Sequence, residues 1–157
     1  MLLSYFITIM SVYLNVCDNY SISSIIDNEK CNSTIFVSMV VMGIFAILYE
    51  LDRKDNVSLS CIVALLIGIY GLIYFNEDLF IHYIFASLVF LSILFFMNHH
   101  SYINRSKFLY FLFYLQIFIL CVTIVNMYKQ CAILYQETFL IFNFAIFYLY
   151  LHYLSEQ

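Results

Sequence analysis

The sequence predicts an all-α polytopic membrane protein, a bundle of six transmembrane helices, and three observations predict it. The chain of 157 residues is 65% hydrophobic and only 10% charged, too few polar residues to cover a soluble globule of this size. Its apolar residues lie in continuous runs of about 16 to 20, the length with which a helix crosses a hydrocarbon core. A membrane β-barrel would instead show short segments that alternate apolar and polar residues. Finally, there is no proline and there are only three glycines, so little interrupts a helix, and a helix satisfies its own backbone groups where water cannot.

The spans are expected at about residues 1–17, 35–49, 58–75, 79–97, 108–127 and 138–154, all in a single transmembrane domain. The first, MLLSYFITIMSVYLNV, reads either as a retained helix or as a signal peptide. Its start carries no Lys or Arg and no A-x-A-like pattern precedes Cys17, which favours the retained helix. Residues 17–34, CDNYSISSIIDNEKCNST, are the longest polar stretch and are expected as a loop. Cys17 and Cys31 bracket it. In an oxidising compartment a disulfide between them would close a ring of about 15 residues and stabilise by up to about 3 kcal/mol in the chain-entropy estimate. The other reading is two free thiols at the membrane boundary. Asn19-Tyr20-Ser21 and Asn32-Ser33-Thr34 are glycosylation sequons, making Asn19 and Asn32 candidate acceptors.

The second span contains Gly43, a small residue that can seat a neighbouring helix. After it, Glu50, Asp52, Arg53, Lys54 and Asp55 form the densest charge cluster of the chain and are expected as a short loop. The third and fourth spans make a central hairpin joined by NEDLF. Gly68 and Gly71 lie in its first arm as candidate packing positions, and His82, Ala86 and Phe90, at steps of four, share a face of its second. The polar stretch 98–107, NHHSYINRSK, is expected as another loop. The fifth span holds Gln116 and Asn126 and the sixth Asn143, the polar residues from which a channel or transporter path would be built.

Lys and Arg sort by side. Arg53, Lys54, Arg105 and Lys107 fall in the two loops on the side of the N-terminus, against Lys30 and Lys129 on the other, which orients both termini toward the cytoplasm. That orientation puts Cys17, Cys31 and Cys131 on the oxidising side, with Cys131 left to remain free, exchange partners or join two copies of the chain. Cys61 and Cys121 fall inside spans as small apolar residues.

His82 stands four residues after Asp78 near a membrane boundary, and the two make the one polar site the sequence offers. An intramembrane ionisable group invites a proton relay, a metal ligand or a head-group contact, while i,i+4 pairing of the two on one helix is the structural alternative. His99 and His100 are adjacent and point about 100 degrees apart on a helix, a poor arrangement for ligating one metal. No metal or other cofactor is implied, and no Ser-His-Asp order, glycine-rich phosphate loop or HExxH motif occurs. The formal charge of −4, without any basic run, argues against nucleic acid as a partner. Tyrosines at span ends read as interfacial anchors.

The six-span topology, the first loop with cysteines and the run from Gly68 through Gly71, followed by His82, Ala86 and Phe90, resemble the Frag1/DRAM/Sfk1 family of small membrane proteins. The resemblance implies a non-enzymatic protein of endomembranes, lysosome or plasma membrane, linked to autophagy, anchor remodelling or lipid organisation. The chain is shorter than typical members, has no Trp or Pro and has a small first loop, features that a compact viral relative or an unrelated virion membrane protein shares. The expected partners are membrane lipids, other membrane proteins or a second copy of the chain.

Overall fold

The computed structural model describes residues 29–75, 79–128 and 133–155. Among them are five α-helices and no strand: α1 Glu29–Arg53, α2 Asn56–Tyr74, α3 Phe80–Asn104, α4 Lys107–Tyr128 and α5 Ile133–Ser155. Four stretches are long and apolar enough to cross a membrane, namely Asn56–Tyr74, Phe80–Asn104, Lys107–Asn126 and Tyr135–Leu154, so the chain has the helices of a multi-pass membrane protein. The expected second span, 35–49, lies inside α1, whose side chains are described from Val37. The expected first span, 1–17, lies outside the described residues.

Two expected loops are largely helical. Of the charged stretch 50–56, Glu50 to Arg53 complete the last turn of α1, and the connection to α2 is only Lys54 and Asp55. Of the polar stretch 98–107, all but Arg105 and Ser106 belongs to α3 or α4. The reason is the same in both places. With no Pro or Gly available to stop the turn, the helices run on to the first residue that turns left-handed. That residue is Lys54 at φ 57° in one loop and Arg105 at φ 49° in the other. Such a conformation costs a non-glycine residue about 1–2 kcal/mol.

The first reversal is held from both sides. The Lys54 N–H donates to the Leu51 carbonyl at 3.2 Å. Asp55 serves as N-cap of α2: its Oδ1 accepts the Val57 and Ser58 N–H groups at 3.0 and 3.2 Å, and its Oδ2 accepts the Ser58 hydroxyl at 2.9 Å. Three donors at the head of an apolar helix are thereby satisfied by one carboxylate. At 25 residues α3 is about 37 Å long, more than a hydrocarbon core of about 30 Å requires.

The helices form two compact units, one reaching to Ser92 and the other Ile93–Gln157, with α3 continuous through the boundary. In the first unit the helices meet at glycines. A Cβ on Gly43 would come within 2.9 Å of the Leu66 side chain. One on Gly68 would come within 2.6 Å of Val89 Cγ2 and 3.1 Å of the Phe85 carbonyl oxygen, and one on Gly71 would overlap the Phe85 ring. That ring stacks on Phe75, with centroids 5.5 Å apart.

The second unit has a filled core instead. Phe96, Met97, Leu109, Leu112, Leu140, Phe144, Phe147 and Leu151 are all buried. Phe96 stacks on Tyr148 at 5.5 Å and presents edges to Phe144 and Phe147.

Candidate functional site

The feature of the second unit that composition alone does not require is a polar seam between α4 and α5. Gln116 and Asn143 sit near the middle of their helices and are 1% and 4% exposed, depths at which an unpaired amide would be costly. They face each other. The Asn143 Nδ2 group donates to Gln116 Oε1 at 2.6 Å and to the Leu112 backbone carbonyl at 2.9 Å. The second bond goes to a carbonyl already used within α4, which ties a side chain of one helix to the backbone of the next. Thr123, also buried, turns its hydroxyl back to the Ile119 carbonyl at 2.8 Å. Asn126 is half-buried near the end of the same helix.

His82 is buried at the start of α3, and its Nδ1 lies 2.8 Å from the carbonyl of Phe75, the residue that ends α2. Against a carbonyl, which only accepts, Nδ1 carries the proton and donates. The histidine therefore ties the two arms of the hairpin together across the connection. Asp78, the partner expected from the i,i+4 spacing, lies outside the described residues. Ala86 and Phe90 follow on α3.

The remaining sequence candidates separate. Cys17, Asn19 and Cys131 lie outside the described residues. Cys31 and Asn32 belong to the first turns of α1, which begins at Glu29, about a turn and a half before the expected span, so neither is in a loop. Cys61 and Cys121 are free thiols on α2 and α4, the first half-buried and the second exposed. Among the described residues no three His, Cys, Asp or Glu side chains gather as metal ligands would.

Three polar side chains expected in loops are buried in helices instead. Glu50 is fully buried in the last turn of α1, with Arg53 Nη1 3.7 Å from its Oε1 and the Arg53 guanidinium 5.7 Å over the Tyr49 ring. Their i,i+3 spacing was visible, but a charge cluster ending an apolar run reads as solvent-exposed. His100 and Ser101, read as loop, are fully buried in α3, with the His100 ring 4.5 Å from Phe96. The chain matches no protein-family model, no curated protein and no solved structure.

Proposed function

We propose that this is a non-catalytic multi-pass membrane protein that organises lipids or partner membrane proteins, in an endomembrane or a virion membrane. The observation that carries the reading is an apolar groove between α1 and α2. Met39, Gly43, Ile47, Leu66, Ile69 and Ile73 line it, and it encloses about 220 Å³. Leu66 closes onto Gly43 at the floor of the groove, and Val40, Ile44 and Tyr70 on its walls are exposed. A surface of this kind accepts an acyl chain or the apolar face of another helix through dispersion contacts rather than chemistry. The resemblance to the Frag1/DRAM/Sfk1 family points to the same class of work.

The test uses the full chain in native membranes, with a photoreactive residue at Ile69 in the groove and another at Phe118, an exposed position of the second unit. Organising activity is expected to give discrete lipid or protein adducts at Ile69, abolished by covering the groove with Val40→Trp at its exposed rim. Adducts at Ile69 that only mirror those at Phe118 would sink the reading.

A second reading, a small channel or transporter, is favoured by the Gln116–Asn143 pair, since buried amides inside a membrane mark polar paths. Solute flux through the purified chain in liposomes, lost in Asn143→Leu, separates it from the first. The lipid-modifying alternative would require His82 with Asp78. It predicts loss of product formation in His82→Ala at normal abundance.

A further inference from the structure

The hydrogen bonds of the α4–α5 seam leave specific groups over. Asn143 donates both of its bonds, and its own Oδ1, buried in the seam, accepts none from any described residue. Gln116 accepts through Oε1, and its Nε2 group makes neither of these bonds. Reversing the Asn143 amide would set its oxygen against two acceptors, so the assignment follows from the network. Side by side at the middle of two apolar helices, the pair presents one acceptor and one donor group of an otherwise saturated network.

The same face carries a second such group. Asn143 pairs with Gln116, and Phe108 packs edge-on against Tyr150 at 4.8 Å, which sets the antiparallel register of the two helices. Seven residues before Asn143 stands Gln136, and seven after Gln116 stands Thr123, so the register brings these two level, two helical turns from the amide pair. Gln136 Oε1 is buried and accepts no hydrogen bond from any described residue. Gln136 lies next to Tyr135, where the apolar part of α5 begins. One acceptor therefore stands at the end of the span and another at its middle, on one seam.

We propose that this seam binds water inside the membrane: a water molecule donates to Asn143 Oδ1 and accepts from Gln116 Nε2, and it enters from the Gln136 end of α5. The chemistry of the leftover groups selects a small hydroxyl with both donor and acceptor capacity. A bare anion would meet the Asn143 oxygen, and a cation the Gln116 N–H groups. A buried water needs at least two polar partners, and the Asn143 oxygen and the Gln116 amide N–H supply them. An unmatched amide oxygen in hydrocarbon, the alternative, is unfavourable. The site is independent of the α1–α2 groove and of the organising role.

X-ray radiolytic footprinting of the full chain in lipid nanodiscs tests it, because hydroxyl radicals formed from bound water modify the nearest side chains. Leu140 and Phe144 flank Asn143 and are buried, as are Phe147 and Leu151 farther along the same helix. Bound water is expected to label Leu140 and Phe144 several-fold more than Phe147 and Leu151, and Asn143→Leu should bring them down to the same low level. If that variant does not fold, Gln116→Met removes the donor at nearly constant volume and should give the same fall. Labelling at Phe144 no higher than at Phe147 in the native chain overturns the site. So does labelling that survives both variants. Gln136→Leu is expected to lower the Phe144 signal, and an unchanged signal there overturns the route of entry.

Discussion

The two units solve one problem in different ways. In lipid, apolar side chains gain little from leaving the solvent, so helices associate through close packing or through hydrogen bonds. The first unit uses absence: Gly43, Gly68 and Gly71 let neighbouring side chains, and at Gly68 a neighbouring backbone, come where a Cβ would stand. The second uses bulk and polarity, with aromatic rings filling the interior and one amide pair crossing the seam. The contrast teaches where each unit is vulnerable. The first should fail when atoms are added and the second when atoms are taken away.

Atoms added at the glycines should have the largest effect. Gly68→Leu should destabilise by about 3 kcal/mol or more, because the obstruction includes the Phe85 carbonyl and Val89 nitrogen of α3, which cannot rotate aside. Gly71→Leu should cost a similar amount by displacing Phe85 from its stack on Phe75. Gly43→Ala meets only the tip of Leu66 and should cost about 1 kcal/mol or less. Unfolding of the purified chain in bicelles measures all three. Equal costs at Gly43 and Gly68 would show that backbone proximity is not what matters.

Taking atoms away from the second unit should have a smaller, coupled effect. Gln116→Leu and Asn143→Leu each leave a buried partner and should cost about 1–3 kcal/mol. The double variant should cost less than their sum, with a coupling of about 0.6 and at most about 1.7 kcal/mol, the range for hydrogen bonds between helices in membranes. Strict additivity in the same unfolding assay would mean that the amides act separately.

How far the sequence could be read follows the same division. Long apolar runs without Pro or Gly announce helices, because burial and backbone satisfaction both favour them, and the cores of the spans beginning at 58, 79, 108 and 138 lie within α2, α3, α4 and α5. Helix ends were less legible. His100 and Ser101 are polar, yet the interior of the second unit takes them in and α3 continues, a tertiary effect that no local pattern carries. Gln116 and Asn143 stand out in the sequence as amides within apolar runs. Their pairing depends on the register of α4 against α5, set by rings such as Phe108 and Tyr150, which abundance of Phe and Tyr alone does not reveal.

The smallest expected effect lies in the connections, where the two units are alike. Lys54→Gly and Arg105→Gly each relieve a left-handed residue and should stabilise by about 1 kcal/mol. Thermal unfolding of the two variants in detergent checks this, and a loss of stability in either would show that the basic side chain holds its loop. The sequence reading places those loops on the cytoplasmic side. Asn56 and Asn104 are exposed within sequons assigned to the cytoplasm, so their modification in a glycosylation-mapping experiment would invert the topology.

The continuity of α3 across the two units bears on how the chain is made. Synthesis proceeds from the N-terminus, so the glycine contacts with Leu66, Phe85 and Val89 are complete in sequence before Ser92. The next 12 residues of the same helix include Phe96, Met97, His100 and Ser101, and the core they will occupy awaits α4 and α5. For the time needed to synthesise those helices, the ribosome holds a half-finished membrane protein with a buried-type face turned outward. A nascent chain stalled just beyond Asn104 is therefore expected to crosslink to the insertion machinery through residues 96–101, and one extended past α5 to have let go.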